Sequence, residues 1–340
     1  MNVPILQNQH QETVRENIRI GAAFNKAHLL MNVLAATIAS YGLLANSPAV
    51  VIGAMIVAML LGLIAGISLA LVDSDMKCLM KSLFSLLTGA IGVTVTAFIV
   101  GTIHKNIPIT NEIMVRTAPN LLDLMIALAG GAAGAYATVS PYLSIAFVGV
   151  AIATALVPPL SSASILLAHG EVNLALGALL LAFTNIVAIQ FAFSVVLWFT
   201  GFRRVTHTSE LSLLTFVKRN IVSITILLIL AVMLSISLQR IVAKQLFETT
   251  TRFTLQQEIN ASPGSYLVGV RFETVPGTTI VRGVVRGPAP PSASQVAAME
   301  AQLPSPPNGT PVELRIRFVQ TTIINRNGPL YTDVNFGSNE

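Results

Sequence analysis

The chain has 340 residues, 53% of them hydrophobic and only 10% charged, with a net charge of +5 and a mean hydropathy of +0.73. Soluble domains carry about 25% charged residues, so this chain cannot cover a water-facing surface and lipid is expected to solvate most of it. The basic residues sit in loops and towards the C-terminus, a pattern of membrane orientation that argues against nucleic acid as a partner, and the one cysteine, Cys78, allows neither an internal disulfide nor a thiolate cluster.

Residues 1–26 are polar and mixed in charge. They lack the apolar core and cleavage site of a signal peptide, so the first span is expected to be its own insertion signal. Within them Val14, Ile18 and Ala22 fall at helical spacing beside Glu12, Arg15, Glu16 and Arg19. That pattern predicts an amphipathic helix lying on the membrane surface.

A bilayer core of about 30 Å needs roughly 20 apolar residues per helix. Seven stretches meet that length: 27–46, 48–72, 79–103, 121–139, 141–168, 172–200 and 221–238. The chain from 27 to 240 is therefore read as a helical membrane domain of about seven spans. With the N-terminus inside, nine Lys and Arg fall in the inner loops and five outside. This asymmetry predicts a cytoplasmic N-terminus and an extracytoplasmic C-terminus in the inner (plasma or thylakoid-type) membrane of a prokaryote.

The two halves of this domain resemble each other. Gly53 matches Gly149 and Thr88 matches Thr184 at one offset, and Ser47-Pro48 recurs as Ser140-Pro141. Units of about 27–103 and 121–200 would each hold three spans. An odd number makes the second unit insert upside down, as in transporters with inverted repeats; chance likeness between apolar helices is the alternative.

Val157-Pro158-Pro159 falls inside the fifth span, with Thr154 before it and Ser161, Ser162 and Ser164 after it. Proline removes a backbone donor and clashes with the preceding turn. The sharp reading is a discontinuous helix whose new N-terminus meets a ligand; the plain one is a kink satisfied by neighbouring helices. Ser47-Pro48 fits the start of a helix, either as a tight-turn cap or as a positive end facing an anion. Asn185 and Gln190 lie within the sixth span, as ligand groups or as interhelical glue. Thr88 stands at the equivalent place in the first unit. Asp123 opens the fourth span, either as a functional carboxylate or at the interface. Gly62/Gly66 and Gly130/Gly134 let helices approach closely, within one chain or in a homo-oligomer.

No HExxH, paired metal spacing, Walker loop or GxGxxG occurs, so no enzyme, cofactor or metal is expected. After residue 240 the composition turns polar. Residues 241–259 read as a helix, 266–273 and 279–286 as strands around Pro276-Gly277, 292–303 as a helix capped by Ser292 or Ser294, and 312–324 as a strand. The order α-β-β-α-β predicts a small two-layer domain over 241–324, followed by a loose tail over 325–340.

Three stretches carry a family likeness: Pro48-Ala-Val-Val-Ile-Gly-Ala-Met-Ile-Val-Ala58, Gly149-Val-Ala-Ile-Ala-Thr-Ala-Leu-Val-Pro-Pro-Leu160 and Asn185-Ile-Val-Ala-Ile189. They resemble a prokaryotic membrane family known only as domain of unknown function 389, over roughly residues 27 to 202. The resemblance implies a polytopic helical fold and no assigned chemistry. The family's pattern places a proline-bearing break after the counterpart of Ala58, where Met59-Leu60-Leu61-Gly62-Leu63 has none; a continuous second span is therefore expected. The C-terminal order also looks like that of small periplasmic domains that bind lipids or partners. Two functions follow as expectations. One is a secondary transporter or channel for a small, anionic solute, its site formed by Thr154–Ser164 with Ser47, Thr88 and Asn185. The other is a non-transporting scaffold or sensor whose extracytoplasmic domain binds membrane lipid or a partner protein.

Overall fold

The computed structural model describes residues 3–140, 156–202, 213–321, 323–326 and 328–330. The chain forms two compact units, Met1–Leu238 and Gln239–Glu340.

The first unit is helical: α1 Val3–Ala22, α2 Lys26–Leu44, α3 Pro48–Val57, α4 Leu60–Asp73, α5 Met76–Ile103, α6 Asn111–Met114, α7 Leu121–Val139, α8 Val157–Ala168 and α9 Val172–Phe199, then α10, Leu213–Asn260, as far as Leu238. Local chemistry sets the helix starts. Asn25 accepts the Ala27 N–H at 2.9 Å, Asp75 accepts that of Cys78 at 3.0 Å, and Asn120 and Asp123 form a reciprocal capping box. Pro48 opens α3, where its missing N–H costs nothing.

Among the described residues, α2, α5, α7, α9 and α10 are long and apolar enough to cross a membrane, and α3 with α4 makes a sixth candidate bent by 53°. The expected fifth span, 141–168, lies largely outside the described residues; its described part is α8. Along α5, Phe84, Leu87, Ile91, Val95 and Phe98 form an exposed stripe, and along α10 Val222, Ile229, Val232, Met233 and Ile236 form another. Apolar stripes of this length suit hydrocarbon rather than water.

Two expectations are corrected. The stretch 48–72 is not one helix. Ala58 (φ −69°, ψ 139°) and Met59 (φ −111°, ψ 28°) leave the helical region, and no proline is needed because a side chain from α2 takes up the freed Met59 N–H. The apolar stripe of α1 faces protein: Val14 and Ile18 are buried with Leu69, Val72, Phe193 and Phe202. The approach is so close that a Cβ on Gly62 would lie 3.0 Å from the Gly21 carbonyl oxygen, and one on Gly66 would collide with Ala22 and Ser82. Gly131, within the second glycine run, marks another close approach inside the chain, where a Cβ would lie 2.8 Å from the Ile189 Cα. An ion pair accompanies the α1–α4 contact. Arg15 donates to Asp73 at 3.2 Å, with side chains 5% and 2% exposed, and Arg19 reaches Asp75 at 3.4 Å.

The second unit contains the rest of α10, strands β1 Tyr266–Val275, β2 Thr278–Gly287 and β3 Val312–Gln320, helix α11 Ala293–Ala301, and the short strands β4 Ile323–Asn325 and β5 Gly328–Leu330. The sheet order is β1-β2-β3. β1 runs antiparallel to β2 through Pro276-Gly277, where Gly277 takes the left-handed φ of +85° that the turn requires. β3 runs parallel to β2, and α11 supplies the crossover such a pair needs. Ser292 caps α11 in a box with Gln295. Phe247, Leu255 and Ile259 of α10 and Met299 of α11 share a core with Val270, Val281, Val285 and Leu314. The α-β-β-α-β order stands as read from the sequence. The tail expected to be loose from residue 325 is corrected in part: β4 and β5 pair from Ile323↔Leu330 to Asn325↔Gly328.

Candidate functional site

A helix break inside an apolar core leaves N–H groups at the new start and carbonyls at the old end without helical partners. At the α3–α4 break, Asn32 of α2 supplies one answer: its Oδ1 accepts the Met59 N–H at 2.9 Å. Asn32 is 1% exposed. Its Nδ2 and the Nδ1 of His28, one turn earlier, are both buried and have no hydrogen-bond partner among the described residues. Both residues line a cavity of about 10 Å³, with Ser85 and Gly89. That is the space of about one water, and the two ring and amide nitrogens are the polar partners a water needs. Gly89 is required here, since a Cβ on it would sit 3.1 Å from Asn32 Nδ2.

The second helix start is α8. Val157-Pro158-Pro159 form its first turn, where proline fits because the N–H groups there have no helical acceptor. Every residue from Val157 to Leu166 is buried, packed by α2, α5 and α9. The hydroxyls of Ser161 and Ser162, and that of Thr184 on α9, are fully buried and make no hydrogen bond among the described residues. Such groups each cost about 1–3 kcal/mol if nothing meets them, so each calls for an occupant. Ser164 is satisfied by the Leu160 carbonyl at 2.8 Å.

The two starts share surroundings. Leu60 at the head of α4 and Leu156, Val157 and Leu160 at the head of α8 belong to one buried cluster with Ala35, Ala36 and Ala54. The starts also hold equivalent places in the chain. Val172 and Phe199 stand 96 positions after Met76 and Ile103, Leu121 and Val139 stand 95 after Lys26 and Leu44, and Val157 stands 97 after Leu60. Ser68 and Ser164 stand 96 apart, and each donates to the carbonyl four residues back, Ile64 at 3.0 Å and Leu160 at 2.8 Å. Each of the two helices packs against both α5 and α9.

The residues singled out in the sequence do not all gather here. Pro158, Pro159, Ser161 and Ser162 are at the head of α8. Asn185 is buried on α9, next to Thr184. Thr154 lies outside the described residues. Ser47 is at the opposite end of the ten-residue α3, about 15 Å of helix from the break, and its hydroxyl makes no cap bond. Thr88 donates to its own helix at Phe84 O, 2.8 Å away. Asp123 is a capping residue, accepting the Asn120 N–H at 2.8 Å. Gln190 is interhelical glue: its Nε2 donates to Ser194 at 2.9 Å, its Oε1 accepts from Ser223 of α10 at 2.6 Å, and its carbonyl accepts from Ser68 of α4 at 2.9 Å. Asn32 and Asp73 carry roles that their residue types alone do not announce; the signal for Asn32 is an amide within the apolar α2. Among the described residues no three His, Cys, Asp or Glu side chains gather as a metal site would need.

Residues 55–191 match the family model described as Domain of unknown function (DUF389), a stretch that runs from the end of α3 into α9 and so contains both helix starts. The chain is also 35% identical over 176 residues to a protein of Methanocaldococcus jannaschii described as uncharacterised, covering 52% of this chain and 54% of the relative. The chain thus spans about half the length of the curated relative it matches. The family resemblance read from the sequence stands on these matches.

Proposed function

From a family match that supplies a fold and no chemistry, we propose that the membrane unit is a secondary transporter or channel for a small anionic solute, with its site between the heads of α4 and α8. The observation that carries this reading is the pair of helix starts at Leu60 and Val157, equivalent in chain position and lodged in one buried cluster. Half-helices whose positive ends point into a protein interior are how inverted-repeat transporters hold anionic groups. The repeated helix bounds support two inverted three-span units. The unbonded hydroxyls of Ser161, Ser162 and Thr184 supply neutral donors of the kind that replace a solute's water. Uncharged lining fits a passage through which the solute itself brings the charge.

The unit would sit in a prokaryotic inner membrane with the N-terminus cytoplasmic. Flux of a panel of radiolabelled small anions into proteoliposomes tests the reading. Wild-type protein should carry at least one solute. Pro158→Ala and Asn185→Ala should slow it, whereas Thr88→Ala, whose hydroxyl bonds only its own helix, serves as a control. No flux for any anion, together with unchanged growth of cells carrying either variant, would sink the reading.

A further inference from the structure

The strongest site outside the membrane unit is on the C-terminal sheet. Arg271 of β1 lies directly opposite Arg282 of β2, and Arg282 directly opposite Arg315 of β3. Side chains so paired have Cβ atoms about 5 Å apart, and like charges in that position repel. Three adjacent strands therefore hold a row of guanidinium groups that folding alone disfavours. Two members are partly offset. Arg282 pairs with Glu273 at 2.8 Å, and Arg315 binds both oxygens of Glu313, at 2.6 and 3.0 Å. Arg271, and Arg317 two residues along β3, have no ion pair among the described residues.

These four arginines and Arg252 of α10 line one open cleft of about 590 Å³, a size typical of small-ligand sites. Five guanidinium groups face two glutamates, an excess of three positive charges. Gly269 keeps the floor clear, since a Cβ there would meet nothing within 4 Å. Arginine rather than lysine matters, because its planar fork matches two oxygens of a phosphate at once.

We propose that this cleft binds an anion bearing phosphate groups, gripped by Arg271 and Arg317 and steered by the Arg282 and Arg315 row. The site belongs to the C-terminal unit alone and holds whether or not the membrane unit transports. The phosphate could belong to a soluble metabolite or to a lipid headgroup, and the experiment separates them.

The full chain in nanodiscs of neutral lipid is titrated calorimetrically with pyrophosphate. Wild type should bind. R271A/R317A should weaken binding at least about tenfold, the loss expected for charge-assisted bidentate contacts. Arg286→Ala removes an exposed charge of the same sheet outside the cleft and should change affinity by less than about twofold. A thermal midpoint of the double variant equal to wild type shows that the fold is kept. Repeating the titration with phosphatidylglycerol in the discs reads the source. Retained binding assigns the cleft to a soluble phosphate, and binding lost in the wild type assigns it to the headgroup; both uphold the site. No binding in neutral discs, or an equal loss in Arg286→Ala, overturns it.

Discussion

The Oδ1 of Asn32 accepts the backbone N–H of Met59 at 2.9 Å, across the point where α3 ends and α4 begins. A side chain from one helix thereby does for a broken neighbour what a cap does for an ordinary helix end. Removing it should leave a buried N–H unmet. Asn32→Leu is expected to lower stability by about 1–3 kcal/mol, read as a lower thermal midpoint in detergent. An unchanged midpoint would mean that the break is held by other contacts.

The Arg15–Asp73 pair is buried on both sides, so losing one partner should cost more than losing an exposed one. Asp73→Ala leaves the buried Arg15 guanidinium with the exposed Glu12 carboxylate in place of a buried partner and is expected to destabilise by up to about 3–5 kcal/mol. Glu12→Ala, whose side chain is 62% exposed in its contact with Arg15, should cost less than about 1 kcal/mol. Arg15→Met with Asp73→Leu should recover much of the loss, because an apolar pair needs no desolvation. Thermal unfolding of the four proteins checks the order. A double variant as weak as Asp73→Ala would argue that packing, not charge, holds α1 on α4.

Two glycines should respond in opposite directions. A Cβ on Gly131 would meet backbone, the Ile189 Cα at 2.8 Å, so Gly131→Ala must push α7 from α9 and is expected to cost about 1–3 kcal/mol. A Cβ on Gly53 would meet nothing within 4 Å, and Gly53→Ala inside α3 should gain up to about 1 kcal/mol of helix propensity. Equal midpoints for the two variants would contradict the close α7–α9 contact.

Anion binding in the sheet cleft should depend on pH. The Arg315 side-chain hydrogen bond, helped by the charges of Arg315 and Arg282, holds the Glu313 carboxyl below its ordinary range against the opposing effect of desolvation. A depressed carboxyl keeps its ion pair above the ordinary carboxylate range and loses it as pH falls through the lowered value. Protonation then frees Arg315. Sulfate, whose own charge holds over most of that range, should bind more tightly as pH falls. Glu313→Gln should bind sulfate more tightly than wild type at neutral pH and show a flatter pH profile. A wild-type affinity that falls on acidification would reverse the assigned sign.

Much of the scaffold was legible because it follows from long, charge-free stretches. The bounds of α7 and α9 and the order of the C-terminal elements could be read from apolar runs and turn residues such as Pro276-Gly277. The α3–α4 break could not. Proline marks many broken helices, whereas here the local residues are Ala58 and Met59 and the group that meets the freed N–H is Asn32, 27 residues away. The functional weight of Ser47, Thr88 and Asp123 was equally out of reach, since their types suit both a ligand and a cap. Only their partners, the Asn120 N–H for Asp123 and the Phe84 carbonyl for Thr88, decide it. The α1 stripe was visible but not its counterpart, because helical spacing shows that a face is apolar and not whether lipid or α4 covers it.

The heads of α4 and α8 are best probed by thiol accessibility in a Cys78→Ser background. Ser162→Cys places a single thiol in the first turns of α8, Thr184→Cys places one at a buried position of α9, and Glu171→Cys marks an exposed position. Treated with a small, membrane-impermeant methanethiosulfonate in proteoliposomes, the two buried thiols should react, more slowly than Glu171→Cys, and an excess of the transported anion should protect them. Complete inertness of both, with Glu171→Cys fully labelled, would contradict a solute path between the two helix starts.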